Sequence, residues 1–587
     1  MVRFPRWLTV FLVALIVVGV GFRFVNLNHK VFSQTEVDTT IRAAGYTQAE
    51  VDQELFQNQP LAAITLQQYQ QIKPGSNAID TVRSLAVEAS HHPPLYFLIA
   101  RGWMQTLGDV LTRLFNSPLT VMRSLPAVLS LLALPAMYGC AWELFASHPV
   151  SLLATALVAL SPADAIFAQT ARQYSLMTVL VIGSSFLLLR AIRQFQTTAS
   201  QSATAQRHAL RQPITWLNWG CYGLALILGL YTHPLFTLTL ISHILYIGAC
   251  FVWDAQFKKH RRSILQFFVG AIVVAILCFS PWIVVMLVKP QSFGSGIYWS
   301  QPSSELANVL KQATQSLALP FIDFGFQNLF TTWLQVLCLL LIGISLYILC
   351  RHTLFVTWSF VLLWIAIPLL LAVPGLIWGN NRVVLSRYLL LGYPGIQLAV
   401  AYFLATRLSM KRVYSGRSRL LTRNYSPYKL QSDPLAIWQT WVWRGVLGGA
   451  IAASLASLIL SAASYTWWDK GVSATNYQTV DFLNEITDPI LVSDKGDIVT
   501  NTGDLISLSY HLKETVQLLP LRNSDFVESQ EFQTKLQGKN AIAFRPSQTL
   551  QQALEEQYGQ LAQILSTKQL WKISVTAPQK IEKSQKN

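Results

Sequence analysis

Charged residues are scarce in this sequence. Asp, Glu, Lys and Arg make up only 12% of its 587 residues, while hydrophobic residues make up 52%. An ordinary soluble domain has about 25% charged residues, and a soluble fold could not bury so large an apolar share. The composition therefore excludes a soluble globular protein and predicts an all-α polytopic membrane protein.

Cysteine is also rare. The six cysteines all lie in or at the ends of apolar segments, with no CxxC spacing and none after residue 350. This pattern excludes a cysteine metal site and predicts no structural disulfide. The six are Cys140, Cys221, Cys250, Cys278, Cys338 and Cys350.

Few formal charges interrupt the apolar segments, and no internal repeat is visible. Ion and proton pathways usually contain buried Asp, Glu or Arg. Many transporters show inverted repeats with helices broken at matching positions. A transporter or lipid flippase is therefore the alternative function and not the first one.

Apolar runs long enough to span a bilayer, about 20 residues, predict eleven full spans, within a range of 11–13 transmembrane helices. The first run follows Arg3 and Arg6 and lacks a convincing cleavage site, so we expect a retained helix. A shorter run, 93–107, is predicted to be interfacial or re-entrant. The predicted spans are 7–25, 119–145, 149–168, 174–193, 215–232, 234–253, 264–288, 330–350, 353–374, 387–406 and 443–464.

The net charge of +16 comes from basic residues clustered in short loops. Clusters of this kind mark cytoplasmic loops and do not indicate a nucleic-acid partner. They predict cytoplasmic loops at 190–211, 258–262 and 407–430. The first loop, 26–92, and the C-terminal region are then external, which is the periplasmic side of an inner or plasma membrane.

Two domains follow from this pattern: a multispan domain at 1–465 and a soluble external domain at 466–587. The second alternates strand-like and helical segments and is predicted to be a small α/β domain. Its strands are predicted at Pro489–Ser493, Thr515–Leu519, Asn540–Phe544 and Leu570–Val575. It has no Gly-rich phosphate loop, metal-ligand cluster or nucleophile elbow, so we interpret it as a docking or lid domain.

Acidic residues follow the first helix. Glu36 and Asp38 lie where a carboxylate could act as general base towards an acceptor hydroxyl. The alternative is that both are solvated loop acids. The rest of this loop has apolar residues at helical spacing, which predicts short helices on the membrane surface.

External imidazoles and guanidinium groups form the second set of candidates. His91 and His92 precede Pro93-Pro94, where they could bind a phosphate or a metal or simply be solvated. External arginines oppose the positive-inside trend, and a guanidinium can bind a lipid phosphate with two parallel hydrogen bonds. Interfacial snorkelling is the alternative. The substrate-binding candidates are His91, His92, Arg172, Tyr174, Arg382 and Arg387.

Over residues 1–410, the sequence resembles the polyprenyl-phosphate-sugar-dependent glycosyltransferases of the type C fold, the family 39 group of protein mannosyltransferases and lipid A aminoarabinose transferases. It is most similar to a divergent bacterial branch. The order and spacing of several short motifs carry the resemblance. These are KVFSQTE at 30–36, HHPPLYF at 91–97, RSLPA at 123–127, ARQYSL at 171–176 and SRYLL at 386–390 before Pro394-Gly395.

The resemblance implies inverting transfer of a sugar from a polyprenyl phosphate to an acceptor hydroxyl on a glycan, lipid or protein, in a groove open to membrane lipid. Relatives place an Asp-Glu pair after the first helix, where this chain has Thr35-Glu36. Thr170 replaces a second expected carboxylate. Glu36 or Asp38 would then be the base, or the protein is a non-catalytic member. No cofactor follows with certainty; metal-assisted catalysis is disfavoured, and a divalent metal stays an open alternative.

Overall fold

The computed structural model describes residues 4–115, 117–199, 212–254, 257, 261–288, 306–370, 386–408, 434–497, 500–565 and 569–574. Contacts divide the chain into two compact units. The first, here the membrane unit, contains Met1–Leu27, Leu85–Trp103 and Leu107–Ser464. The second, here the sheet unit, contains Asn28–Ser84, Met104–Thr106 and Tyr465–Asn587. Its last stretch begins at the predicted boundary near 465, but it also includes most of the first loop, which the sequence assigned to the multispan domain.

The membrane unit is built of helices. Seven described helices are long and apolar enough to cross a membrane, judged by length and composition, and a bent pair would make eight. This confirms the predicted all-α multispan architecture. Its helices are Arg6–Phe22, Leu95–Phe115, Pro118–Leu131, Ala133–Phe145, His148–Leu160, Pro162–Ala168, Tyr174–Ala199, Pro213–Thr232, Phe236–Trp253, Arg261–Val288, Leu306–Ala318, Leu329–His352, Phe355–Leu370, Ser386–Leu389, Tyr393–Leu408 and Pro434–Ala463.

Each of the eleven predicted spans overlaps at least one of these helices. Eight of them match the seven long apolar helices and the bent pair, whereas the spans predicted at 7–25, 353–374 and 387–406 do not. The stretch 93–107 lies in the helix Leu95–Phe115, which is not among the helices apolar enough to span. The span predicted at 149–168 is bent by 56°. Pro162 follows the bend and has no backbone N–H, so the last turn before it keeps carbonyl groups that need other donors.

Arg23 supplies those donors. Its guanidinium donates to Val158 O at 3.0 Å and to Ala159 O at 2.7 Å, and its side chain is fully buried. Gly19 makes this approach possible, because a Cβ there would lie 2.3 Å from Ala159 O. A buried arginine therefore completes the broken helix, a structural role that the sequence analysis did not anticipate.

The sheet unit contains six strands: β1 Leu61–Ala62, β2 Pro489–Ser493, β3 Gln517–Pro520, β4 Asn540–Phe544, β5 Ala562–Gln563 and β6 Leu570–Lys572. Their order is β1-β3-β2-β4-β6-β5. The central three strands are parallel, with Leu491 opposite Leu518 and Ile542. The predicted small α/β domain is confirmed, and β2 and β4 have the bounds that the sequence predicts.

Helices and short 3-10 turns surround this sheet. Ala78–Glu88 belongs partly to each unit, and the others lie within the sheet unit. The helices are Gln34–Ala44, Gln48–Leu55, Ala78–Glu88, Asn476–Glu485, Thr502–Ser509, Gln530–Leu536 and Gln548–Tyr558, and the 3-10 turns are Ala63–Gln70, Trp468–Thr475 and Ser524–Glu528. Apolar residues of strands and helices, such as Val492, Leu519 and Phe532, form one buried cluster on the sheet.

The first loop contributes to this sheet. Strand β1 pairs antiparallel with β3, with Leu61 opposite Leu518. The predicted helices of the loop form, and their buried residues Val51, Leu55 and Leu66 are covered by protein of the same unit. Helical spacing of apolar residues shows that one face is covered, but it cannot distinguish lipid from protein as the cover.

Candidate functional site

The candidate residues divide between the two units. Glu36 and Asp38 belong to the sheet unit, and His91, His92, Arg172 and Tyr174 belong to the membrane unit. Arg382, a predicted substrate-binding residue, lies outside the described residues, and Arg387 lies in the short helix Ser386–Leu389 with its side chain outside the description.

His91, His92, Arg172, Gln173 and His233 form a cluster in the membrane unit, here called the imidazole–guanidinium cluster. The His92 ring lies 4.1 Å from the His91 ring and 6.3 Å from the His233 ring, centroid to centroid. Arg172 Nη2 is 3.4 Å from His92 Nε2. These residues come from three connections between helices, so the fold brings together residues far apart in the chain.

The contacts of His92 orient the groups around it. A guanidinium can only donate hydrogen bonds, so His92 Nε2 is the acceptor for Arg172. Gln173 Nε2 lies 3.2 Å from His92 Nδ1 on the other side of the ring. His92 therefore lies between the Arg172 guanidinium and the Gln173 side chain and holds both in place.

Hydrogen bonds to backbone carbonyl groups hold the loops that carry the cluster in place. Trp282 Nε1 donates to Ser90 O at 3.1 Å, and the His92 amide donates to Ala89 O at 2.8 Å. Gln169 Nε2 donates to both Phe22 O and Val25 O, at 2.8 and 2.9 Å. Pro93 and Pro94 end the turn and begin the helix Leu95–Phe115. The cluster is thus positioned before any ligand arrives.

The cluster combines one buried cation with neutral donors. Only 8% of Arg172 is exposed, which strengthens its attraction for an anion relative to a solvated arginine. The fully buried Gln173 adds an amide to the same site. Tyr174 begins the next helix and packs on Phe167, with ring centroids 5.0 Å apart. The arrangement is suited to binding a phosphate group.

Sequence reasoning missed two members, Gln173 and His233. His233-Pro234 repeats the His92-Pro93 pattern at the start of another helix, and this repetition was a usable signal. His233 accepts a hydrogen bond from the Leu235 amide at its Nδ1, at 3.1 Å. Gln173 carries no such signal, because a buried glutamine next to an arginine looks like any polar residue between two helices.

In the sheet unit, Glu36 is locked at a helix start. It is the third residue of the helix Gln34–Ala44 and forms a capping box with Ser33. Its Oε2 accepts from Ser33 N and from Ser33 Oγ, both at 2.9 Å, and from Lys470 Nζ at 3.1 Å. Both charged side chains are buried, with exposures of 0% for Glu36 and 1% for Lys470.

Asp38 points in another direction. Two residues turn an α-helix by about 200°, so Glu36 and Asp38 lie on nearly opposite faces of the same helix. Thr35 and Asp38 are three residues apart and share a face. Asp38 is partly exposed. These two carboxylates therefore cannot act on one reacting atom, and Asp38 is the accessible one.

Tyrosines in the first loop are poor bases. Burial and the neighbouring Glu54 carboxylate raise the pKa of Tyr69 to about 12, so its phenol stays protonated at neutral pH.

Among the described residues, no group of three or more His, Cys, Asp or Glu side chains is arranged to hold a metal ion.

Comparison with known proteins gives no match to a family model and none to a curated protein sequence. Among solved structures, ArnT from Cupriavidus metallidurans bound to undecaprenyl phosphate is 15% identical, over 97% of this chain and 100% of that chain, with a TM-score of 0.47. The archaeal oligosaccharyltransferase AglB from Archaeoglobus fulgidus is 11% identical, over 97% of this chain and 75% of that chain, with a TM-score of 0.44. Identities this low support no residue-by-residue assignment.

Proposed function

We propose that this protein is a membrane glycosyltransferase that moves a sugar from a polyprenyl-phosphate donor to an acceptor hydroxyl on the external face of the membrane. The observation that supports this function is the buried Arg172, held by His92 at the helix ends of a multispan unit. A polyprenyl phosphate places its charged phosphate group at the helix ends, while its prenyl tail stays among the apolar helices. The motif order between residues 30 and 395 supports the same class.

The chemistry is a single displacement with inversion. The acceptor hydroxyl gives its proton to a carboxylate, its oxygen bonds to the anomeric carbon, and the bond from that carbon to the phosphate oxygen breaks. The electron pair leaves with the polyprenyl phosphate. Negative charge then gathers on the departing phosphate, where the preorganised Arg172 and the donors around it stabilise it. Arg382 and Arg387 stay candidates for the same phosphate from the sequence alone.

We assign the base to Asp38. Glu36 already accepts three hydrogen bonds at one oxygen, one of them from the buried Lys470. Protonating Glu36 would remove one of the two buried carboxylates, Glu36 and Asp469, that pair with this lysine. Asp38 is partly exposed, so its carboxylate is accessible to an acceptor hydroxyl. Acceptors of this reaction are glycans, lipids or proteins with a free hydroxyl.

Replacing Arg172 by alanine should weaken binding of a polyprenyl phosphate about 10- to 100-fold, the loss of one charge-assisted contact of about 1.5–3 kcal/mol. Arg172→Lys should be intermediate, because it keeps the charge but loses the planar fork of donors. Binding to the purified protein in lipid nanodiscs is measured by titration with the phosphate. An affinity unchanged in Arg172→Ala would remove the cluster from donor binding.

The matched control is Arg190→Ala. Arg190 is an exposed arginine of the same unit, and its guanidinium lies 5.8 Å from the Phe186 ring centroid. Removing it alters the net charge equally, so polyprenyl-phosphate affinity should stay at the wild-type value. Equal losses in both variants would mean that the effect comes from general electrostatics and not from the cluster.

The orientation of the chain gives a separate prediction. In a variant without the native cysteines, Glu528→Cys in the sheet unit should react with an impermeant thiol reagent in intact cells, and Ser418→Cys should not. The reason is the run of basic residues in 407–430, which favours the cytoplasm. Labelling at Ser418→Cys without labelling at Glu528→Cys would show that the topology is the inverse of the predicted one.

A further inference from the structure

The sheet unit contains a second site, a pocket of about 400 Å³. This volume falls within the range of about 300–1,000 Å³ typical of small-molecule sites. Its wall is formed by residues that follow the first helix, by the start of the C-terminal region and by two helices of the sheet unit. Its characteristic residues are Asn28, His29, Tyr465, Tyr477, Asp481 and His511.

Aromatic rings line one side of the pocket. The His29 and Tyr465 rings are in contact, with centroids 4.2 Å apart and planes tilted by 33°. The Tyr477 ring is nearly parallel to that of Tyr465, at 10° and 6.5 Å. Tyr465 is 58% exposed, so a large part of its ring is accessible to a ligand. Gln478 Nε2 donates to the Tyr477 hydroxyl at 3.0 Å and holds that ring in place.

The base of the pocket is rigid because its polar groups are bonded within the protein. Asn476 Nδ2 donates to the buried Asp504 carboxylate at 2.7 Å. Asn484 Nδ2 donates to His511 O at 3.0 Å. Asp504 also forms an ion pair with Arg545. The pocket is therefore preorganised, and Asp481 places an exposed carboxylate at its edge.

The charge of the lining selects the ligand class. Among the described residues that line the pocket there is one carboxylate and no lysine or arginine, so the lining offers no permanent positive charge to a phosphate or another anion. The polar edge does not suit a lipid tail. A neutral saccharide matches both features, because its C–H face packs on the electron-rich face of an aromatic ring and its hydroxyls donate to a carboxylate.

We propose that this pocket binds a neutral saccharide unit of the acceptor. The acceptor part of this inference rests on the proposed glycosyltransferase function, while saccharide binding itself does not. Tyr465 and Tyr477 supply the stacking surface, and Asp481 accepts hydrogen bonds from one or two sugar hydroxyls. The acceptor is then a glycan or a glycolipid.

Saturation-transfer difference NMR on the full chain tests this. The probes are the methyl glycosides of glucose, galactose, mannose and N-acetylglucosamine at millimolar concentration. The protein is held in phosphatidylcholine nanodiscs, because a maltoside detergent would itself present a saccharide. At least one probe should receive saturation, mainly on the C–H groups of one sugar face. Signal from none of the four would overturn the inference.

Variants locate the binding. Tyr465→Ala and Tyr477→Ala should abolish the signal, and Asp481→Asn should weaken affinity about tenfold, the loss of one charge-assisted hydrogen bond. Tyr477→Phe keeps the ring and should bind. Glu485→Gln, an exposed acid on the same helix and outside the pocket, should bind like wild type. An undiminished signal in Tyr477→Ala, in a variant with unchanged circular dichroism, would contradict the site.

The two proposals fail separately. Asp38→Asn should bind the saccharide normally even if it transfers no sugar. If the wild-type protein transfers sugar and no probe binds, the pocket inference fails and the proposed function stands. If a probe binds in the pocket and the protein transfers no sugar with any donor, the saccharide site stands and its assignment to an acceptor fails.

Discussion

Asp38→Asn should reduce the rate of sugar transfer about 10²- to 10⁴-fold, the range typical of a lost general base, while polyprenyl-phosphate binding stays unchanged. The amide has almost the same shape and cannot take the acceptor proton. The rate is measured with a polyprenyl-phosphate sugar and with membranes that supply the acceptor. A loss in turnover without a loss in donor affinity marks an interaction made in the transition state.

Thr35 offers the matching gain of function. It shares a helix face with Asp38, and its side chain is partly exposed. Thr35→Asp restores the acidic pair of the resembling family and should raise the rate or create it. Full activity in Asp38→Asn would exclude this carboxylate as the base. The absence of turnover even in Thr35→Asp would favour a non-catalytic member of the fold, as the threonines at 35 and 170 already suggest.

Lys470→Ala should destabilise the sheet unit by about 3–5 kcal/mol, because it leaves the buried carboxylates of Glu36 and Asp469 without the cation that they share. Lys470 Nζ lies 3.1 Å from Glu36 Oε2 and 3.0 Å from Asp469 Oδ2, and all three side chains are almost fully buried. A change of this size raises the equilibrium constant for local opening by about 10²- to 10⁴-fold, since each 1.4 kcal/mol is about tenfold. Hydrogen–deuterium exchange of the helix Gln34–Ala44 measures it directly in the full chain.

The matched lysine control is Lys73→Ala. Lys73 pairs with Glu50 at 3.0 Å in the same unit, but 33% of its side chain and 44% of that of Glu50 are exposed. Exposed pairs of this kind contribute about 0–1 kcal/mol. The double variant Glu36→Gln with Lys470→Met should recover part of the loss, since the Glu36 charge is removed together with the cation and only the Asp469 carboxylate remains buried. Equal effects of Lys470→Ala and Lys73→Ala would show that the buried pair is not an anchor.

This second prediction separates two ways of losing activity. Glu36→Gln should lower transfer through a loosened helix start, with faster exchange in the helix Gln34–Ala44. Asp38→Asn should lower transfer with wild-type exchange. The sequence alone could not distinguish these carboxylates, because both follow the first helix at similar distance.

The helices and strands that the sequence predicted correctly follow from local patterns of apolar residues. A run of about 20 apolar residues identifies a span whatever lies next to it. Strands β2 and β4 are short apolar runs between turn residues, and their bounds match the prediction. The bend at Ser161-Pro162 was also readable in principle, because proline cannot donate to the preceding turn.

The sites depend on contacts between distant residues. Glu36 meets Lys470 across 434 residues of chain, and His92 meets Arg172 across 80. Arg23 caps carbonyls 135 and 136 residues away. Each residue taken alone has an ordinary local explanation: a loop acid, a solvated histidine or a positive charge at a membrane edge.

The amino-acid sequence by itself determined the membrane class, the helical spans, the α/β character of the C-terminal region and the chemical types at the candidate site. These properties follow from hydrophobicity and its period, which act over a few helical turns. Only the tertiary structure decided that the first loop joins the sheet, that Glu36 is an ion-pair anchor and Asp38 the accessible carboxylate, and that His233 and Gln173 belong with Arg172. Burial and pairing of charges depend on which segments pack together, and that choice is made by the whole chain.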